Sequence, residues 1–282
     1  MKILSIQSHV AYGHVGNASA VFPMQRLGVD VWPVHTVQFS NHTGYGAWRG
    51  RVFDGPAVEE VVQGIGERGV LGTCDGVLSG YMGSADIGTA ILRAVASVRA
   101  LNPDALYCCD PVMGDTGCGC YVRPGIPEFM RDHAVPAADI VTPNHFELAF
   151  LAGSPCATLD EAKAAVAGLH ARGPRVVLVT SFATDETPPD RIDMLAAEDG
   201  EFWRVRTPRL DLDVNGSGDA VAALFFVHYA RTGSAALALG MAAASVYGLL
   251  RRTAEAGSRE ILTVEAQDEF VSPSETFPVE SV

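Results

Sequence analysis

Apolar and polar positions along this chain follow two alternating periods. Short, nearly continuous apolar runs, often β-branched, read as strands at Lys2–Gln7, Asp30–Val37, Gly76–Ser79, Ala105–Asp110, Asp139–Thr142 and Arg175–Thr180. Between them, apolar residues recur at helical spacing over Gly16–Leu27, Pro56–Gly69, Ser84–Ala100, a stretch near Pro124–His133, Asn144–Leu151 and Asp160–Arg172. Strands that are apolar on both faces and separated by helices predict a parallel sheet covered on both sides. Two more strands, around Arg191–Ala197 and Glu201–Arg206, flank Asp199-Gly200, a strong hairpin signal. The helices Ala220–Arg231 and Ser234–Arg252 follow, and the second is so apolar over its first half that it must be buried, in this core or against a second subunit. The tail after Val271 is polar and Pro-punctuated, and little structure is expected of it.

No linker or low-complexity run divides the 282 residues, so a single domain over 1–282 is expected. A net charge of −13 argues against nucleic acid and against anionic membranes as partners, and means that a bound triphosphate needs a divalent cation. No apolar run reaches the length of a membrane span. The start, MKILSIQ, reads as a strand rather than a signal peptide, so a cytoplasmic protein with six reduced cysteines is expected. Cys108, Cys109, Cys118 and Cys120 have the wrong spacing for zinc.

Chemistry collects at the predicted carboxyl ends of the strands, where open α/β sheets bind ligands. Gly216-Ser217-Gly218-Asp219 leads into a helix, and unpaired N–H groups at such a mouth suit a phosphate. Asp219 would repel that phosphate unless it takes a proton from a hydroxyl attacking a phosphoryl group held there; the other reading is an Asp N-cap after a flexible loop. Asp110 and Asp115 bracket a turn, and Asn144 and Glu147 share one face of a helix start. These hard oxygen ligands suit magnesium, although Asn144 and Glu147 equally spell a capping box. The loop Gln38–Gly46 carries enough hydrogen-bonding side chains to touch a ligand. The Gly- and Cys-rich stretch at about 115–123 reads as a flap over a nucleotide.

Five stretches together resemble the pyridoxal kinases of the ribokinase superfamily: Ser8-His9-Val10 with Gly13–Asn17, Val37–Thr43, Ser79-Gly80-Tyr81, Cys109–Asp115, and Thr142-Pro143-Asn144 with Glu147. The Gln-Phe-Ser-Asn-His-Thr string is specific to them; the Gly-x-Gly-Asp signature marks the wider superfamily. The resemblance implies a three-layer αβα sandwich with a mostly parallel central sheet. It implies ATP-dependent phosphorylation of the 5′-hydroxyl of pyridoxal, with pyridoxine and pyridoxamine as further acceptors, in a homodimer using magnesium and, as a candidate, potassium.

In the same terms Ser8, Thr43 with Gly44, and Tyr81 hold the pyridine ring, with Val15 and His42 beside it, and Asp219 is the base. Asp110 and Glu147 organise magnesium; Asp115, Thr142, Asn144, Thr180 and Ser181 serve the triphosphate or ribose; Thr207, Pro208, Arg209 and Leu210 line the adenine pocket. Two departures stand out: Thr180-Ser181 occupies a place where some bacterial members carry Lys, and Ser217 one where Thr or Val is usual. A hydroxymethyl-pyrimidine kinase and a non-catalytic binder of pyridoxal phosphate are the alternative readings. The Gln38–Thr43 string and Tyr81 argue against the first, and the retained Asp219 against the second.

Overall fold

Strand β1 (Lys2–Val10) lies inside the sheet, paired in parallel with β2 (Asp30–Phe39) on one side and β4 (Gly76–Ser79) on the other. The parallel run continues through β5 (Leu106–Cys109) and β8 (Ile140–Val141) to β9 (Val176–Phe182). These are the apolar runs of the sequence, apolar because both faces of each strand are covered. The computed structural model describes residues 1–282.

Beyond β9 the sheet turns antiparallel through β10 (Arg191–Glu198) and β11 (Glu201–Pro208). Asp199 and Gly200 both take positive φ, 51° and 82°, as the expected two-residue hairpin turn requires. Since β10 reverses and β11 reverses again, the end of β11 reaches the edge where the parallel strands end. The full order is β12-β11-β10-β9-β8-β5-β4-β1-β2-β3. Both outermost strands were missed in the sequence. β3 (Gly50–Val52) pairs with the end of β2, and β12 (Val279–Ser281) pairs with β11, so the tail expected to do little extends the sheet.

Helices α1 (Asn17–Arg26), α8 (Ser217–Thr232) and α9 (Ala235–Glu255) pack on one face, in a cluster with Ile3, Leu78, Ile140 and Leu178. On the other face α2 (Gly55–Gly66), α3 (Ala85–Leu101), α6 (His145–Ala152) and α7 (Leu159–His170) pack on Leu4, Ile6, Val77 and Val177. They are joined there by α4 (Ile126–Phe129) and α5 (Val135–Ala137), linked by a π turn over Met130–Ala134. Alternate residues of β1 thus feed opposite layers, the three-layer sandwich expected. No helix is long and apolar enough to cross a membrane.

Helix α9 is buried along Ala238, Ala242, Val246 and Leu249, but Leu237 and Met241 on its other side are exposed. The helix that the sequence marks as buried is therefore buried on one side only. All six cysteines are free, and burial pushes the Cys108 and Cys109 thiols well up, so neither is a ready metal ligand. Nowhere do three or more His, Cys, Asp or Glu side chains gather in metal-binding geometry.

Candidate active site

Helix α8 begins three residues earlier than the sequence suggested, at Ser217, so Ser217, Gly218 and Asp219 form its first turn rather than a loop. Gly216 is the N-cap in the left-handed region, φ 88°, and a Cβ there would collide with the carbonyl of His14. The cap supplies no side-chain acceptor, and the first intrahelical bond runs from Ala220 N to Gly216 O. The N–H groups of Ser217 and Gly218 therefore have no backbone partner. Nothing lies within 4 Å of where a Gly218 Cβ would stand, so this helix mouth faces open space, as an anion site needs.

Asp219 is held against the loop that follows β1. The Gly16 N–H hydrogen-bonds its carboxylate, yet burial prevails and raises the group to about 6. Asp219 is thus not a plain N-cap. Ser8 packs on the same glycine: a Cβ at Gly16 would have no room against the Ser8 carbonyl and hydroxyl. Val15 shares a small apolar cluster with Val10, Val37 and Phe39, against which Tyr81 packs. Burial raises the Tyr81 phenol while the positive charge of Arg123 lowers it. Ser8 and Asp219 thus meet at Gly16, next in the chain to Val15, which shares its cluster with Tyr81.

The Gln38–Gly46 loop is more structural than its composition suggested, and its first residues, Gln38 and Phe39, still belong to β2. Ser40 takes the Arg49 N–H at 3.0 Å, and Asn41 donates to the carbonyls of His42 and Ala47. His42 caps the short turn Thr43–Tyr45, its Nδ1 accepting the Gly44 N–H at 3.2 Å. With Ser40, Asn41 and His42 holding the loop, Thr43 and Gly44 stand exposed at its tip. His9, likewise, stacks on His35 with ring centroids 4.3 Å apart, and burial lowers both, as orienting rather than proton-transferring groups.

The acidic side of the site is buried. Asp110 accepts the Thr142 hydroxyl at 2.8 Å, and burial followed by repulsion from Asp219 raises its carboxyl well above the usual range. Glu147 is raised by burial and then by Asp110, against N–H donors from Asn144, Met113 and Gly114. The capping box is present: Asn144 Oδ1 takes the Glu147 N–H and Glu147 Oε2 the Asn144 N–H, both at 2.9 Å. The capping reading of this pair therefore holds, and the capping carboxylate is at the same time close enough to Asp110 to be raised by its charge. The Asn144 amide also donates to Gly114 O at 2.8 Å, fastening the root of the flap.

That flap is a hairpin of β6 (Gly114–Asp115) and β7 (Gly119–Cys120). Tyr121 just after it is more than half exposed, and partial burial and then the negative charges of Glu147, Asp110, Asp219 and Asp115 raise its phenol. Neither Tyr121 nor Arg123 carries any pattern in the sequence that marks it. Asp115 itself is exposed and takes the Thr116 N–H at 2.6 Å.

Further along the edge, Thr180 is buried and its N–H bonds Pro143 O, while Ser181 holds a positive φ of 47° at an irregularity in the β9–β10 ladder. Strain of that kind in a non-Gly residue is a mark of functional edges. Thr207 is buried at the end of β11 with Pro208, and Arg209 N bonds Asp190 O, tying this corner to the loop before β10. Each expected nucleotide residue lies on the carboxyl edge. The Arg209 guanidinium leans on the Arg191 carbonyl at 3.4 Å.

A match to the family described as phosphomethylpyrimidine kinase spans residues 73–264. Over 98 % of its length the chain is 62 % identical to a pyridoxal kinase of Granulibacter bethesdensis, which is itself 98 % covered. It is 55 % identical to a pyridoxal kinase of Leifsonia xyli over all of both chains. A solved pyridoxal kinase of Leishmania donovani, in complex with ADP and pyridoxamine, superposes with a TM-score of 0.92 at 32 % identity, covering 100 % of this chain and 99 % of the other. The pyrimidine-kinase match leaves out β1 and the Gln38–Thr43 loop, whereas the pyridoxal kinases match along the whole chain. With its helix-mouth amides, its single aspartate beside them and its full-length likeness to these enzymes, the chain belongs to the pyridoxal kinase family.

Proposed function

We propose that the protein transfers the γ-phosphoryl group of ATP to the 5′-hydroxyl of pyridoxal, with pyridoxine and pyridoxamine as alternative acceptors, yielding pyridoxal 5′-phosphate or its congeners and ADP. The observation that carries the reading is Asp219 at the first turn of α8, raised to about 6 beside unpartnered Ser217 and Gly218 amides. A carboxylate of that basicity is suited to receive a hydroxyl proton near neutral pH. As the 5′-oxygen bonds to the γ-phosphorus, its proton passes to Asp219 and the bond to the β,γ-bridging oxygen breaks, its electrons leaving with ADP. The amides hold the transferring oxygens throughout.

Ser8, Val15, Tyr81 and the Thr43–Gly44 tip supply hydroxyls and walls for a flat pyridine, with His42 shaping the tip. Asp110, Thr142, Thr180, Ser181 and the Thr207–Leu210 corner would take the nucleotide, with Asp115 and Asn144 at the flap root. Magnesium fits the donor set: Asp110 has one oxygen without a hydrogen bond, and Glu147, although both its oxygens are engaged by backbone N–H, keeps free lone pairs. Bound there, a divalent cation would neutralise phosphate charge that a protein of net charge −13 cannot. A potassium requirement, a cytoplasmic location and a homodimer are further parts of the proposal. The dimer is supported by the exposed Leu237 and Met241 of α9.

ADP release measured with pyridoxal, pyridoxine, pyridoxamine and hydroxymethyl-pyrimidine side by side tests the reading. Turnover on the pyridines with little on the pyrimidine is expected. Preference for the pyrimidine would favour the hydroxymethyl-pyrimidine kinase reading, which the partial family match supports, and tight pyridoxal binding with no turnover on any acceptor would favour a binder.

A further inference from the structure

Glu260 lies outside every stretch singled out above, in the segment that follows α9, and its side chain bonds two of the loops that border the site. Its backbone is fixed by Ser258, whose hydroxyl donates to Glu260 O at 2.6 Å. Its carboxylate then makes two bonds to segments far away in the chain. Oε1 accepts the Tyr45 hydroxyl at 2.6 Å, and Oε2 accepts the His14 N–H at 3.1 Å. The neighbouring Arg259 guanidinium stands 4.0 Å from the centre of the Tyr45 ring, and Tyr12 meets the same ring edge-on at 6.1 Å. The carboxylate lies so close over Gly13 that a side chain there would strike it.

Each partner leads into the site. His14 continues to the carbonyl that packs on Gly216, and its ring Nδ1 is 3.1 Å from the Thr263 hydroxyl. The Ser19 hydroxyl donates to Gly216 O at 2.7 Å, fixing the same cap from α1. Tyr45 ends the turn whose tip is Thr43 and Gly44, and the Asn215 amide just before the cap lies 3.9 Å from where a Cβ on Gly44 would stand. Glu260 thus joins the turn that carries the tip, through Tyr45, to the cap at Gly216, through His14.

We propose that Glu260 is a positioning residue that latches the acceptor-binding tip at Thr43–Gly44 to the phosphate-binding cap at Gly216, fixing where the acceptor's hydroxymethyl group stands relative to Asp219. The inference rests on the kinase reading above. It goes beyond it by assigning the registration of the two half-sites to a residue that touches neither substrate. A loop held in its binding conformation before the ligand arrives binds more tightly, because the ordering cost is already met. Loss of the latch therefore weakens the acceptor and spares the nucleotide.

The test compares Glu260→Ala, Glu260→Gln and Tyr45→Phe with the unaltered full-length chain, measuring KM for pyridoxal, KM for ATP, kcat, and backbone amide exchange over residues 41–47. Glu260→Ala and Tyr45→Phe are expected to raise the pyridoxal KM by about fivefold or more, as the fraction of closed loop falls, and to lower kcat as the hydroxymethyl group loses its alignment with Asp219, with the ATP KM within about twofold. Exchange over 41–47 should accelerate in both. Glu260→Gln keeps one acceptor oxygen and should fall between. An unchanged pyridoxal KM with unchanged exchange in both Glu260→Ala and Tyr45→Phe overturns the latch, as does an equal loss on pyridoxal and ATP. The exchange measurement needs no substrate, so if the unaltered chain phosphorylates none of the vitamers the kinase reading falls while the latch is still judged by exchange.

Discussion

Gly216 and His14 meet so closely that no Cβ fits between the helix cap and the His14 carbonyl, and the cap's φ of 88° suits only glycine. Gly216→Ala should therefore displace the first turn of α8 or the loop after β1. We expect a stability loss of about 1–3 kcal/mol from backbone strain alone and a fall in kcat larger than that loss explains. Denaturant unfolding alongside steady-state kinetics separates the two.

Asp219→Asn keeps the shape of the side chain and removes its ability to hold a proton. Turnover should drop by roughly 10²–10⁴, the range for loss of a general base. Affinity for ATP and pyridoxal, measured by calorimetry, should stay within a few-fold. A variant with near-normal kcat would refute the assignment.

The same residue sets the pH dependence. Asp219 acts only when ionised, and burial holds it at about 6 rather than in the ordinary carboxylate range. kcat/KM for pyridoxal should therefore fall as pH drops through about 6 and level off above it. An acid limb at the position of an ordinary aspartate would mean that Asp219 is not the titrating base.

Asp110 is buried with its carboxyl raised to about 8, so above its unfolded pKa the chain must take up a proton there to fold, a cost that grows as pH rises toward the folded value and disappears once the pH is low enough for protonation in both states. Asp110→Asn keeps an acceptor for the Thr142 hydroxyl and removes the charge. Without ligands, this variant should melt higher than the unaltered protein at neutral pH by roughly 2–4 °C. The gain should shrink as the solution is acidified, although activity is impaired throughout.

Asp193 is 1 % exposed and takes both Arg206 Nε and Nη2, at 2.7 and 2.8 Å, across the β10–β11 pair. Arg206→Ala would strand that carboxylate with only the Thr187 hydroxyl, 3.0 Å away. The expected cost is about 3 kcal/mol, the scale for breaking rather than replacing a buried pair. Guanidinium-induced unfolding would read it.

What the sequence made legible followed from burial. β4 and β9 are apolar on both faces because both are covered, and Asp199-Gly200 announced its turn because left-handed backbone favours those residues. Ser217, Gly218 and Asp219 looked like a loop because a first turn rich in glycine has no apolar period, although it is helix. β3 and β12 are three residues each, too short for alternation to register, and exist only because β2 and β11 offer them a partner. Glu260, Tyr121 and Arg123 gain their meaning from what lies across the site, which no local pattern encodes. Ser40 and Asn41 taught the converse: a polar loop can spend its side chains on its own shape.

The two outer strands have a consequence for solubility. A long open β edge is a template for another chain, and this sheet ends on Gly50–Val52 at one side and Val279–Ser281 at the other, each brief and each carrying charge, Arg51 and Glu280. Glu280 is tied to Arg204 at 2.9 Å, which pins the final strand over eight-residue β11. The polar tail thus acts as a gatekeeper: stripped of it, β11 would offer Trp203 and Val205 on a bare flank, an invitation to self-association that the folded chain withholds.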